Sequence, residues 1–326
     1  MRFLVTGCAG FIGSSLVDAL LADDHHVTGV DCFTDYYDPA RKRVNLEGAL
    51  ANDAFELLEL DLARVDLPAD ARAVDGVFHQ AAQAGVRASW GEEFAIYTDC
   101  NVLATQRLLE QLVRAATAAG TAPVPLVYAS SSSVYGNAEA RPTREDALPA
   151  PISPYGVTKL AAEHLCDTYR HEFAVPTTSL RYFTVYGPRQ RPDMAFHKFG
   201  RAALLGEPIE VYGDGTASRD FTFIDDIVTG NRAAMRMMLD GSMGGTYNLG
   251  GGSVITVREV LDVIADLVDG EIDARYGETQ KGDVRHTSAD VSAAQRDLGF
   301  APTVDLRTGL AREVQWLRSV YSVPVP

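Results

Sequence analysis

The chain has 326 residues, 46% of them hydrophobic and 22% charged, and a formal charge of −15. That length holds one large domain or two lobes with a sizeable core, and the composition is ordinary for a globular protein. The acidic balance argues against a nucleic-acid surface, where phosphates must meet clustered Lys and Arg, and no apolar run approaches the ~20 residues of a membrane span.

In chain order, RFLVTG, HVTGVD, FELLELD, GVFHQAA and PVPLVYAS each read as a buried parallel strand, and TTSLRYF as a sixth. Between them, Ile12, Leu16, Ala19 and Leu20 repeat at helical spacing, as do Val102, Leu108, Leu109 and Leu112. Strand, helix, strand at this rhythm predicts βαβ units in the α/β class, wound into a doubly wound parallel Rossmann sheet. After about residue 185 the pattern loosens into Gly- and Pro-rich turns, with helices near 225–239 and 256–268. A smaller C-terminal α/β lobe fits that half, and ligands in such sheets lie at the carboxyl ends of the strands. The cysteines (Cys8, Cys32, Cys100, Cys166) are far apart and form no CxxC pair, so neither a metal site nor a disulfide framework is indicated. Reduced thiols in the cytoplasm are the expectation. The N-terminal MRFLVTGCAGFIGSSL carries basic and apolar residues as a signal peptide would, but no convincing cleavage site.

The first strand runs into Gly7-Cys8-Ala9-Gly10-Phe11-Ile12-Gly13 and then a helix. A glycine pattern alone is weak, but a strand before it and an amphipathic helix after it are the context of a dinucleotide fingerprint. Gly7 permits the tight turn, Gly10 lets backbone approach a pyrophosphate, and Gly13 allows close helix–strand packing. Asp31 ends the second strand at roughly the twenty-residue offset of an acid that bonds the adenosine ribose. Its charge would repel a 2′-phosphate, so NAD is favoured over NADP. Asp61, after the third strand, could meet the adenine edge or simply cap a turn.

SPYGVTK places Tyr155 and Lys159 at i and i+4 on one helical face. A phenol with a pKa near 10 is no base at neutral pH unless a neighbouring cation stabilises its phenolate. After a fingerprint and a serine-lined strand end, LVYASSSSVYG, this pair is the expected acid/base. Ser131, at that strand end, would bond the reacting oxygen.

TGCAGFIG, the serine run, YGVTK and Asn101 within CNVLATQRLLE together resemble the extended short-chain dehydrogenase/reductases, specifically the nucleotide-sugar epimerases, over essentially the whole chain. The resemblance implies an NAD-binding Rossmann domain over 1–180 and a nucleotide-sugar lobe over 181–326, with some chain crossing back. It implies a homodimer through two long helices per subunit, around 93–119 and 154–173. It also implies Ser131, Tyr155 and Lys159 as the working triad, and Phe11, Ile12, Leu62, Ala81, Ala82 and Asn101 along the cofactor, with Tyr182 close to the nicotinamide.

Related dehydratases resemble STDEVYG at the serine run and decarboxylases STSEVYG, whereas Ser132 and Ser133 stand at those acidic positions here. Elimination therefore lacks its acid pair, while epimerisation needs none. DCFTDYYDP, HQAAQAGVR and RYFTVYGPRQRPDMAF look most like UDP-glucuronate 4-epimerases. Thr184, standing where galactose-type enzymes usually carry Asn, would join Ser131, Ser132 and Ser133 as donors to the sugar carboxylate. The chain departs from the glucuronate pattern at Arg189 and Gln190, where Trp-Gly is usual, so a UDP-glucose/UDP-galactose 4-epimerase is the alternative. A sensor without chemistry is a third reading, less favoured because such proteins tend to lose the Tyr or the Lys. Arg219 in ASRDFTF resembles the family's diphosphate-binding arginine, with Arg191 and Arg87 as further candidates; Tyr212 would stack on uracil or belong to the core.

Overall fold

The computed structural model describes residues 1–138 and 140–323. Its strands are β1 (Arg2–Thr6), β2 (His26–Asp31), β3 (Phe55–Glu59), β4 (Gly76–His79), β5 (Leu126–Ser131), β6 (Thr177–Tyr182), β7 (Thr184–Tyr186), β8 (Ile209–Tyr212), β9 (Ser218–Phe223), β10 (Thr246–Leu249), β11 (Val254–Thr256) and β12 (Ala274–Gly277). The helices are α1 (Phe11–Ala22), α2 (Pro39–Asn45), α3 (Glu47–Leu50), α4 (Phe94–Tyr97), α5 (Ala104–Ala119), α6 (Pro154–Phe173), α7 (Ala195–Leu205), α8 (Ile224–Leu239), α9 (Val257–Val268), α10 (Ser292–Leu298) and α11 (Leu306–Val320).

Seven strands form one parallel sheet in the order β10-β6-β5-β4-β1-β2-β3. Parallel strands are covered on both faces, which is why β1 is buried from Phe3 onward and β4 throughout. One face packs Leu16, Phe78, Leu180 and Ile227 into the main core; the other packs Leu4, Val77, Leu108, Leu109 and Ala162 beneath α5 and α6. The connections run to opposite sides after β1 and β4, and the crevice at such a switch point is where this architecture receives ligands.

The second half adds a three-stranded sheet, β11-β9-β7, and a β12-β8 pair, with Tyr186, Phe196, Phe221 and Phe223 stacked beneath α7 and α11. Strand β10 and helix α8 belong to the first sheet and its covering layer, so the chain crosses back to the first lobe after residue 181.

The helix predicted around 93–119 differs from the one observed. A short α4 is followed by a π-helical stretch, Thr98–Leu103, and only then by α5. Such bulges turn a side chain out of helical register. Here that side chain is Asn101, whose amide accepts from Gln83 N–H at 2.8 Å and donates to Gln83 O at 3.1 Å and to the Thr158 hydroxyl at 2.9 Å. The 154–173 helix has the predicted extent because its start is specified locally: Ser153 caps Gly156 N–H and Pro154 occupies the first turn.

Candidate active site

A cavity follows the carboxyl ends of β1, β2, β4 and β5, from Asp31 at one end to Tyr155, Lys159 and Arg191 at the other. Its dinucleotide end is built from backbone. Gly7 has φ +66, and a Cβ there would lie 2.7 Å from Ala81 N; a Cβ at Gly13 would lie 2.0 Å from Gly7 O. Helix α1 starts at Gly10 with no side-chain cap and no acid in its first turn, so its free N–H groups face the cavity. That is the arrangement that receives a diphosphate.

Asp31 accepts from Phe33 N–H at 2.8 Å and Ala9 N–H at 3.2 Å, and Lys42 stands 3.7 Å away in the same wall. Lys42 was not singled out in the sequence, because nothing in PARKRVN says that α2 folds back onto β2. Phe11, Ile12, Asp61, Leu62, Ala81 and Ala82 line the cavity. Asp61 also makes a local turn, accepting from Ala63 N–H at 2.9 Å. Asn101 lies behind the wall, 1% exposed, holding the Gln83 loop against α6.

At the other end, Tyr155 and Lys159 project from α6 into the wall, with the Ser131 hydroxyl at the end of β5. Burial raises the phenol's pKa, while the Ser131 hydroxyl and the Arg191 charge oppose it. Lys159 donates to Ala129 O at 2.8 Å, and burial pushes its ammonium down to about 7, against the charge of Glu163. Tyr182 is in the same wall, its hydroxyl donating to Asn231 Oδ1 at 2.8 Å.

Arg191 shares this end. It is held by Asp193 through two bonds of 2.9 Å, and the Tyr36 hydroxyl donates to Asp193 at 3.2 Å. Burial raises the Asp193 carboxyl, but Arg191 outweighs it and keeps it below its ordinary value. Tyr36 and Asp193 were missed because their meeting spans the two halves of the chain.

The remaining predicted contacts lie elsewhere. Ser132 and Ser133 stand in the turn Ser132–Tyr135, just beyond this wall, with Ser133 N–H donating to Ser131 Oγ at 3.1 Å. Thr184 opens β7 opposite Phe221 and is likewise outside it. Arg87, Tyr212 and Arg219 form a second cluster. The Arg87 guanidinium stacks 4.2 Å from the Tyr212 ring centre and pairs with Asp283 at 2.6 Å. Arg219 donates to Ser218 O at 3.0 Å and Arg285 O at 2.9 Å, and burial lowers its pKa. Tyr212 is 42% exposed, so it is a surface platform and not core.

A profile of the NAD dependent epimerase/dehydratase family matches residues 3–250. The chain is 40% identical over 322 residues to an uncharacterized UDP-glucose epimerase of Bacillus subtilis, YtcB, covering 98% of this chain and 99% of that one. It is 35% identical over 319 residues to a UDP-glucuronate 4-epimerase of Thermodesulfobacterium geofontis, covering 96% and 95%. The crystal structure of UDP-glucuronic acid 4-epimerase from Bacillus cereus, in complex with UDP-glucuronic acid and NAD, superposes with a TM-score of 0.93 at 39% identity, covering 98% of this chain and 100% of that one.

Proposed function

We propose that this chain, which belongs to the NAD dependent epimerase/dehydratase family, is an NAD-dependent UDP-sugar 4-epimerase that interconverts UDP-glucuronate and UDP-galacturonate through a 4-keto intermediate. The observation that carries the sugar is Arg191, a guanidinium in the cavity wall beside the Tyr155 phenol, in a site whose serine run holds no acid pair. A charge-assisted hydrogen bond contributes roughly 1.5–3 kcal/mol, enough to favour a carboxylate over a hydroxymethyl group.

The wall fits NAD. The uncapped start of α1 would take the diphosphate, Asp31 the adenosine ribose, and Ala81, Ala82 and Tyr182 would flank the nicotinamide half. Bound there, NAD supplies the acceptor that takes a hydride from the sugar 4-carbon and later returns it. Tyr155 takes the proton of the 4-hydroxyl, with Ser131 bonded to the same oxygen and Lys159 favouring the ionised phenol. Inversion requires the 4-ketone to turn over while the nucleotide stays fixed. Arg219, Arg87 and the Tyr212 platform would hold the diphosphate and base, apart from the reacting ring. Ser132, Ser133 and Thr184 would meet the sugar at its outer edge. Arg191 would also hold the carboxylate near the ring plane, where loss of CO₂ from the β-keto acid is suppressed.

One observation favours the alternative, a UDP-glucose/UDP-galactose 4-epimerase. Arg191 is already neutralised by Asp193, and a paired cation suits a neutral sugar as well. Incubating purified protein with UDP-glucuronate should give UDP-galacturonate with little UDP-pentose. Faster turnover of UDP-glucose would replace the glucuronate reading, and a dominant pentose product would overturn the epimerase one. A cytoplasmic homodimer completes the reading. It is supported by the apolar side chains left exposed along the α4–α6 side, Trp90, Leu103 and Val157 among them, and by four free cysteines.

A further inference from the structure

The chemistry above uses Tyr155 and Lys159 of α6. The next side chain on that helical face, Glu163, lies one turn further on and is 3% exposed. Its carboxylate accepts from the Ser130 hydroxyl of β5 in a short hydrogen bond, and from Arg181 of β6 through Nε at 3.0 Å and Nη2 at 2.8 Å. Arg181 continues to the Tyr135 hydroxyl at 2.8 Å, and Tyr135 donates to Asn248 of β10 at 2.7 Å. One buried carboxylate thus ties α6 to three adjacent strands directly behind Ser131.

A buried ion pair is a weak way to stabilise a fold, because desolvation offsets the attraction and packed apolar residues would serve as well or better. An apolar replacement could not hold a serine hydroxyl or present a charge. We propose that Glu163 is a positioning residue of the reaction: by holding Ser130 it fixes the end of β5 against α6, so that Ala129 O meets the Lys159 ammonium and the Ser131 hydroxyl meets the Tyr155 phenol. This rests on the reading of Ser131, Tyr155 and Lys159 as the reacting set. Glu163 also has an electrostatic part. Among the described residues, the groups facing Lys159 are the Tyr128 ring of β5 at 5.1 Å, Tyr155 and Cys166 of α6, and His79 of β4. Burial pushes Tyr128 and Cys166 up and His79 down to about 3, leaving these three neutral near pH 7. Glu163 is the anion among the neighbours of Lys159, and Arg181 is its counter-charge.

Two variants test the two parts. Ser130→Ala removes the tether and leaves the ion pair. Its kcat for UDP-glucuronate should fall about 10²-fold, as for a small displacement of a reacting group, with KM and NAD content unchanged. Ser130→Thr, which restores the hydroxyl, should recover most of the loss. Glu163→Gln combined with Arg181→Gln keeps hydrogen-bonding partners and removes both charges. In the NAD-loaded protein the ultraviolet phenolate band, read as the difference from Tyr155→Phe, should then titrate at higher pH, because Lys159 loses its proton more readily. Parent-like kcat in Ser130→Ala together with a parent-like phenolate titration in the double variant would reduce Glu163 to a structural tie. If the double variant does not fold, the Ser130 pair decides alone. If the parent does not turn over UDP-glucuronate, the substrate reading fails, and the phenolate titration, which needs no sugar, still judges Glu163.

Discussion

The two ends of the cavity are made of different materials. At the dinucleotide end the groups that would face the diphosphate are backbone N–H groups and two missing side chains, all drawn from one stretch between Gly7 and Gly13. At the reaction end they are side chains from α6 and the segment before α7, Tyr155, Lys159 and Arg191, with Ser131 of β5 acting on the phenol. A backbone site is specified locally and tolerates no added atom. A side-chain site is specified by packing, and its members can be exchanged one at a time with graded consequences.

The largest expected effect is at the side-chain end. Tyr155→Phe should lower kcat by about 10²–10⁴, the range of a lost general acid/base, while NAD stays bound. Full activity in that variant would remove Tyr155 from the chemistry. At the backbone end, Gly13→Ala should fail differently: the new Cβ would meet Gly7 O at 2.0 Å, so α1 must shift off the turn. Overpacking of this kind costs about 1–3 kcal/mol, and the protein should purify with its NAD content reduced and its thermal midpoint lowered. Full NAD occupancy would show that the turn can adapt after all.

Arg191→Leu sharpens the contrast further. Loss of about 1.5–3 kcal/mol of charge-assisted binding should cut the kcat/KM preference for UDP-glucuronate over UDP-glucose by about 10–100-fold. An unchanged ratio would assign the carboxylate to other donors. The smallest effect concerns the layer between the two ends. His79 bridges Thr6 at 2.7 Å and Thr105 at 2.9 Å, and burial holds its imidazole down at about 3. The unfolded chain protonates this group near its ordinary 6.5, so its contribution is complete above that pH and is lost as pH falls towards about 3. His79→Gln should flatten the fall in thermal midpoint over that window. A parent-like slope would place the acid sensitivity elsewhere.

These contrasts explain what was legible in the residues. The six strands predicted for the first half appear; five are largely buried in the sheet, while β3, expected to be buried, stands at the edge with no buried residue. The start of α6 was readable from Ser153 and Pro154, whose capping chemistry acts within one turn. The interrupted helix around Asn101 was not readable. Its π-helical stretch is set by Gln83 and Thr158, which are distant in the chain. Nor were Lys42 beside Asp31 and Tyr36 beside Asp193 readable, since each pair meets only after separate segments fold together.

The sequence by itself determined the architecture, the dinucleotide turn and the Tyr155/Lys159 spacing, because each depends on periodicity or on contacts within a few residues. Only the tertiary structure decided that Asn101 stands behind the cavity wall and that Arg191 shares that wall with the Tyr155 phenol. Those outcomes depend on how segments tens of residues apart are packed against one another, and no local pattern of side chains encodes that distance.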